Sequence, residues 1–172
     1  MKNCFVIAGD ITVVFLKTCD DVSYEAIIDT DDLPRVMELT ASWRAYKHPY
    51  RRVRVTGGKK GLQGWLIDAP VGMQIDHINR NALDNRRSNL RICTPTENYR
   101  NRSTHSNNTS GTTGVIKNQG KWVVMIGTGG KNKYLGTFRN IEDAIAVRKE
   151  AEIKYFGDFR PMDKDDLTSI KC

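Results

Sequence analysis

The chain has 172 residues, 39% of them hydrophobic, and a formal net charge of +7. That suits one domain or two small ones; no apolar run approaches the ~20 residues of a membrane span, and the apolar run before Asp10 is too short for a signal peptide. The four cysteines (Cys4, Cys19, Cys93, Cys172) form no CxxC pair, so no structural zinc and no disulfide framework is expected, and a reducing cytoplasm is the simplest compartment.

From the N-terminus, residues 5–7 and 11–16 read as a hairpin-like pair around Ala8-Gly9-Asp10. Residues 24–28 give another strand. Asp31-Asp32-Leu33-Pro34 starts a short helix to Leu39, with its acidic residues at the positive end. Residues 43–46 and 50–55 form a hairpin around His48-Pro49, closed off by Gly57-Gly58. Alternation puts Val53 and Val55 on one face and Arg52 and Arg54 on the other. Those arginines suit either DNA phosphates or a solvated edge.

Residues 61–67 and Ala69-Pro70-Val71-Gly72 lead to a strand over residues 73–78. A polar loop follows, residues 79–89, with only Ala82 and Leu83 apolar, so something must tie it down. Residues 90–93 are the second strand of the pair. Thr94 then suits an N-cap, Pro95 the first helical position, and Glu97 completes a capping box. Asn98 falls in the first turn or so of that helix.

Residues 104–113, THSNNTSGTT, read as a polar linker or extended arm. Beyond them, residues 113–117, 121–127 and 133–138 are three short strands, with turns at Gln119-Gly120 and Gly129-Gly130. Residues 140–156 are a helix ended by Gly157. Its apolar face is Ala144, Val147, Ala151 and Tyr155. Trp122, Val124 and Ile126 alternate toward that helix, which makes Trp122 a core residue rather than a base-stacking platform.

Charge is unevenly spread. Residues 1–50 hold 5 Lys+Arg against 8 Asp+Glu, residues 51–105 hold 11 against 4, and residues 106–172 hold 11 against 8. The positive field therefore sits on the segment with the polar loop, where a polyanion would be drawn. That same segment holds Asp76-His77 and Asn98: a base for water and oxygen donors for a hard cation. Arg80, Arg86, Arg87 and Arg91 are candidate phosphate clamps. Of the other histidines, His48 reads as a packing or surface residue and His105 as solvated.

The stretch from Asp76 to Asn98, DHINRNALDNRRSNLRICTPTEN, resembles the HNH nucleases of the phage and intron homing type. The likeness rests on Asp76-His77, on Asn89 in Ser88-Asn89-Leu90 and on Asn98 in Thr96-Glu97-Asn98, in order and spacing. The resemblance implies a ββα-metal fold over about residues 70–103. It implies His77 as general base, Asp76 and Asn98 as ligands of Mg²⁺ or Mn²⁺, and Asn89 fixing the loop. Asn85 is a second amide able to do that tethering. Cleavage would leave 3′-hydroxyl and 5′-phosphate ends. Where such proteins frequently carry a histidine ahead of the site, this chain has Gln63.

Residues 112–159 resemble the ethylene-response-factor (Apetala-type) DNA-binding domain. The matching words are Gly114-Val115, Lys121-Trp122, Leu135-Gly136-Thr137-Phe138 and Glu142-Asp143-Ala144. The base-reading arginines of that family are absent, so shape and phosphate recognition are expected, with Lys131, Lys133 and Tyr134 as contacts.

The expected class is α+β. Residues 1–60 form a β-rich region, 61–103 the nuclease core, 104–111 a linker, 112–160 the sheet-plus-helix module and 161–172 a tail. The expected function is metal-dependent hydrolysis of one phosphodiester in double-stranded DNA by a monomer. The competing reading is a DNA-binding regulator that keeps the fold without cutting; an RNA-binding protein is third.

Overall fold

A computed structural model describes residues 1–17, 23–38, 42–46, 52–55, 61–102, 104–105 and 107–162. The His48-Pro49 turn, the Gly57-Gly58 stop, the side chains of Arg52 and Arg54, and the tail beyond residue 162 lie outside the described residues. The chain divides into two compact units, Met1–Asn98 and Tyr99–Cys172. No helix among the described residues is long and apolar enough to cross a membrane.

The first unit is built on a sheet whose central strand is β2 (Ile11–Lys17). It pairs antiparallel with β1 (Phe5–Ala8), across a turn where Gly9 takes φ 63°, and with β3 (Ser23–Asp29). Strand β4 (Trp43–Tyr46) meets β2 in parallel at Lys17 and Arg44, and pairs antiparallel with β5 (Arg52–Val55). So short a parallel contact needs help, and Asn3 supplies it. Its amide donates to the carbonyls of Phe15 (2.9 Å) and Trp43 (2.8 Å) and accepts the Trp43 N–H (2.7 Å).

Alternation along these strands points Val14, Leu16, Ala26, Ile28, Trp43 and Ala45 into one core. Two short helices cover it: α1 (Leu33–Met37) with Leu33 and Val36, and α2 (Leu62–Leu66) with Leu62 and Leu66. A 3₁₀ turn over Thr30–Asp32 precedes α1, so the helix starts later and ends sooner than the sequence pattern suggests. Asp32 is buried rather than solvated at the helix start, where it accepts from the guanidinium of Arg87. Trp43 and Trp65 meet edge to face, centroids 6.4 Å apart.

The rest of the unit is a hairpin, β6 (Gln74–His77) and β7 (Leu90–Cys93), followed by α3 (Pro95–Arg100). Leu90 is buried in the same core as the N-terminal sheet, with Ile75 and Leu83 packed against it. Residues 1–60 and the hairpin therefore share one core. The expected capping box is formed: the Glu97 carboxylate accepts the Thr94 N–H at 2.7 Å, and Thr94 Oγ1 accepts the Glu97 N–H at 3.2 Å.

The second unit has three antiparallel strands, β8 (Val115–Asn118), β9 (Lys121–Thr128) and β10 (Lys131–Phe138), and a helix, α4 (Ile141–Phe156). Both hairpin turns have two left-handed residues, Gln119-Gly120 (φ 48° and 77°) and Gly129-Gly130 (φ 58° and 78°). Such turns match strand twist and let pairing run up to the turn. That is why β10 begins at Lys131 and not Lys133. Ser110 is buried, its hydroxyl 2.7 Å from the Val115 carbonyl, so the polar run just before β8 is tied into this sheet.

The buried face of α4 is Ala144, Arg148, Ala151, Glu152 and Phe156. Val147 and Tyr155, expected on that face, are only half-buried. The face is rotated because Arg148 turns inward. Its guanidinium donates to the Met125 carbonyl and, at 2.8 Å, to Glu152. Val124 and Ile126 are fully buried, and Trp122 packs against the cluster of Val115, Val124 and Ala144, as a core residue should.

Candidate active site

The site grows from the β6–β7 register, in which Gln74 pairs with Cys93, Asp76 with Arg91 and His77 with Leu90. Neighbours on a strand face opposite ways. Gln74, Asp76, Arg91 and Cys93 therefore share one face, while Ile75 and Leu90 turn to the core. Arg91 answers Asp76 directly, with Nε and Nη2 donating to Oδ2 at 3.0 and 2.7 Å. Asn98, on the first turns of α3, donates its Nδ2 to Gln74 Oε1 at 2.6 Å. That bond brings Asn98 to the Asp76 face of the hairpin and leaves its Oδ1 as the unused end of the amide. The Cys93 thiol lies beneath, 3.6 Å from the Gln74 carbonyl, and burial pushes it up to about 11, so it stays protonated.

For Asp76 and His77 to serve one phosphate, the strand must end between them and the loop, and it does. His77 is the last residue of β6. The Ile78 N–H then turns to the Asn89 carbonyl (2.9 Å), and Arg80 takes a left-handed φ of 61° to start the loop.

The loop is held from inside by its own amides. Asn89 Oδ1 accepts the Asn79 N–H (2.9 Å), and its Nδ2 donates to the Asp84 carbonyl (2.7 Å). Asn79 Nδ2 donates to the Asp84 carboxylate at 2.9 Å. Asn81 receives the Leu83 N–H, an Asx turn. Burial works against charge on Asp84, but two bonds from Arg86, at 2.8 and 2.7 Å, and the one from Asn79 outweigh it. The carboxyl sits below its ordinary range.

The loop is also held from outside. Leu83 and Asn85 bracket Ile27 of β3: the Ile27 N–H donates to Leu83 (2.8 Å) and the Asn85 N–H to the Ile27 carbonyl (2.7 Å). Asp84 thus makes a one-residue parallel bridge on the outer edge of the N-terminal sheet. Arg87 adds a second tie. Its N–H donates to Asp29 (2.7 Å) and its guanidinium to Asp32 (2.6 Å). This is the tethering that the loop's composition demanded, and half of it comes from residues far back in the chain.

Asn85 has a distinct place. It is fully buried, and its Oδ1 lies 3.2 Å from His77 Nε2. Its Nδ2 already donates to the Ala82 carbonyl at 3.2 Å. The amide therefore presents an acceptor to the imidazole, which carries its proton on Nε2 when neutral and leaves Nδ1 basic. Burial lowers the pKa of His77; the Asn85 bond and the charges of Asp76 and Asp84 only partly oppose it. The two loop amides thus do different work: Asn89 spans the loop, and Asn85 meets the histidine. Residue order alone could not separate them.

The expected cationic contacts fall out differently from a single basic patch. Arg86, Arg87 and Arg91 are paired with Asp84, Asp32 and Asp76. Arg80 is exposed at the start of the loop. In the second unit Lys131 is exposed beside the Gly129-Gly130 turn. Lys133 lies on the helix side of the sheet, opposite Ile126, with Nζ 2.6 Å from the Tyr155 hydroxyl. Tyr134 is on the other face, exposed, its hydroxyl 2.8 Å from Thr137. The structure does not bring Lys133 and Tyr134 together. Gln63 is on α2, in the segment ahead of the hairpin.

Two oxygen donors, the Asp76 carboxylate and the Asn98 amide, suit a small hard cation that keeps most of its waters. No group of three or more His, Cys, Asp or Glu side chains placed to hold a metal occurs among the described residues.

Comparison with known proteins agrees with this part of the chain. Residues 68–100 match the model of the HNH endonuclease family. A protein named as an uncharacterized HNH endonuclease of Acanthamoeba polyphaga mimivirus is 34% identical over 101 residues, 57% of this chain and 51% of that one. A prophage-derived protein of Bacillus subtilis, named provisionally as an HNH homing endonuclease, is 39% identical over 61 residues, 30% of this chain and 35% of that one. Protein 3.8 of Escherichia phage T7 is 39% identical over 70 residues, 41% and 53% of the two chains. The chain spans about half or less of the length of these relatives. No solved structure matches. The stretch from β6 to α3 that holds Asp76, His77, Asn89 and Asn98 is thus the stretch that matches the HNH endonucleases.

Proposed function

We propose that the chain is a divalent-cation-dependent endonuclease that cuts one strand of duplex DNA. The observation that carries this reading is the arrangement at the end of β6. Asp76 and Asn98 offer oxygen donors on one hairpin face, and His77 stands at the strand end with Nε2 engaged by Asn85.

In this reading His77 Nδ1 takes the proton from the water that attacks phosphorus. Burial keeps the imidazole neutral to lower pH than an exposed histidine would be. Asn85 holds the tautomer, and Asn89 keeps the loop at the length that puts Asn85 there. Asp76 and Asn98 hold the cation, with Gln74 turning the Asn98 oxygen outward. When bound, that cation supplies stabilisation of the charge that grows on the phosphate oxygens.

The second unit, with its exposed Lys131 and Tyr134, serves in this reading to hold the duplex. One Asp76–His77–Asn98 set makes one cut, and a double-strand break would need a second copy correctly oriented. The test is supercoiled plasmid with Mg²⁺, Mn²⁺ or EDTA. Open circle should appear first in either metal, with linear DNA late or absent, and nothing in EDTA. Binding without cutting under every metal would leave the silent regulator as the answer. Linear product at the earliest times would overturn single-strand cutting.

Asn85→Ala should slow cutting by about 10- to 100-fold, the scale on which metal-ligating imidazoles lose function when their orienting partner is removed. Since the Asn85 bond raises the His77 pKa, its loss should also move the acid limb of the pH–rate profile to lower pH. A limb that moves to higher pH would show that Asn85 does not act on the histidine.

A further inference from the structure

We infer that Arg91 couples cation binding to DNA binding, holding the Asp76 carboxylate against cations until a phosphate draws the guanidinium away. The inference rests on the proposed roles of Asp76 and Asn98.

Arg91 stands directly across the hairpin from Asp76, and two of its N–H donors converge on one oxygen, Oδ2. The pair is well shielded, with 13% and 9% of the two side chains exposed. It differs from its neighbours in kind. Arg86 and Arg87 are held on Asp84 and Asp32, which belong to the loop and to the 3₁₀ turn before α1. Among the ion pairs of the described residues in the loop and hairpin, Arg91–Asp76 is the one that involves a proposed cation ligand.

The charges decide the consequence. In the free protein the pair is neutral. A dication that joins Asp76 then lies a few Å from a guanidinium, in a site where water screens poorly, and the like charges repel. Simply expelling Arg91 breaks its pair with the carboxylate, which is costly for a shielded group. A DNA phosphate removes both penalties. With oxygen–cation distances of ~2.1 Å, a cation shared by Asp76 and a phosphate brings that phosphate to within about 4 Å of the carboxylate. Arg91 is already in contact with the carboxylate, and guanidinium binds phosphate with two parallel bonds. The exchange runs from Asp76–Arg91 to Asp76–cation plus Arg91–phosphate, and no charge is stranded in either state. Linkage then requires DNA to strengthen cation binding by the same factor that the cation strengthens DNA binding.

The experiment measures Mn²⁺ binding by the EPR signal of the free ion, on the full chain carrying His77→Ala so that DNA stays uncut. It is done with and without a short duplex. The parent should bind Mn²⁺ weakly alone and ~10- to 100-fold more tightly with DNA, the ordinary span of coupling between two sites. Arg91→Gln should bind Mn²⁺ about tenfold more tightly without DNA, and its coupling factor should fall by about the same tenfold, the shared phosphate keeping the remainder. An affinity without DNA no higher than the parent's, or an unchanged coupling factor, overturns the inference. A second readout needs no change at Arg91. The Arg91 Nε–H resonance of the parent should move when Mg²⁺ and DNA are both present and stay in place at the same Mg²⁺ concentration alone; movement with Mg²⁺ alone overturns the inference. Failure of the proposed function looks different: no Mn²⁺ binding with or without DNA, and no effect of Asp76→Asn.

Discussion

Replacing His77 with alanine should lower the rate of plasmid nicking by about 10²-fold or more, the usual scale for a positioned general base, while duplex affinity is retained. The expectation follows from the position of the ring. It is half-buried at the end of β6, its Nε2 is engaged by Asn85, and its pKa is lowered, so its contribution is a basic Nδ1 rather than a positive charge for phosphate. A histidine that acted through charge would lose DNA affinity on truncation; one that acts as a base should not. Asp76→Ala and Asn98→Ala should also stop cutting, but with a loss of cation affinity in the DNA complex that His77→Ala does not share. The measurements are single-turnover nicking with Mg²⁺ and Mn²⁺, duplex binding in EDTA, and Mn²⁺ binding with uncleaved DNA. Wild-type nicking by His77→Ala with either metal would remove the histidine from the mechanism.

The largest effect on stability is expected from Glu152→Leu, in the second unit. Arg148 and Glu152 are one turn apart on α4 and almost wholly buried, 5% and 9% exposed. Taking Glu152 away leaves a guanidinium in the core with the Met125 carbonyl and the face of the Phe156 ring beside it. Breaking such a pair from one side costs about 3–5 kcal/mol. The same place shows why Gly114 is glycine: with φ 79°, a Cβ there would run into the Met125 carbonyl and the Arg148 guanidinium. Thermal unfolding followed by circular dichroism should show the loss as an early transition. Adding Arg148→Met should recover much of it, because replacing a buried pair by apolar groups is often neutral or better. Stability unchanged in Glu152→Leu would mean that Arg148 finds water at little cost. Since His77, Asp76 and Asn98 belong to residues 1–98, nicking should persist in the variant. DNA binding should weaken and its salt dependence flatten if the second unit holds the duplex.

Much of the local structure was legible from residue order. Strands β1 to β4, the β6–β7 pair, the Thr94–Glu97 capping box and the Gly157 stop of α4 all follow from alternation, capping chemistry and glycine. These are interactions between residues close in sequence, so their pattern is written within a few positions. The same holds for the stretch from Asp76 to Asn98, whose spacing puts a carboxylate and an imidazole at a strand end and an amide on the next helix.

What the sequence left open was which groups meet across the fold. It offered four loop and hairpin arginines as equivalent phosphate clamps, yet Arg86, Arg87 and Arg91 are held by carboxylates, and two of the acids are 55 and 15 positions away. It offered Asn85 and Asn89 as rivals for one job, and the fold gives them two. It read α4 as a small apolar face, but Arg148 is drawn inward by the carbonyl of Met125, 23 positions earlier. It set residues 1–60 apart, whereas β3 carries the edge on which the loop is bridged. Sequence by itself determined the elements and the set of reactive groups, because backbone pairing, capping and side-chain chemistry act locally. Only the tertiary structure decided which charge is paired, which amide faces the histidine and what holds the loop. A buried charge or polar group must take whatever partner the packed chain brings within about 3 Å, and that distance is fixed by the whole fold.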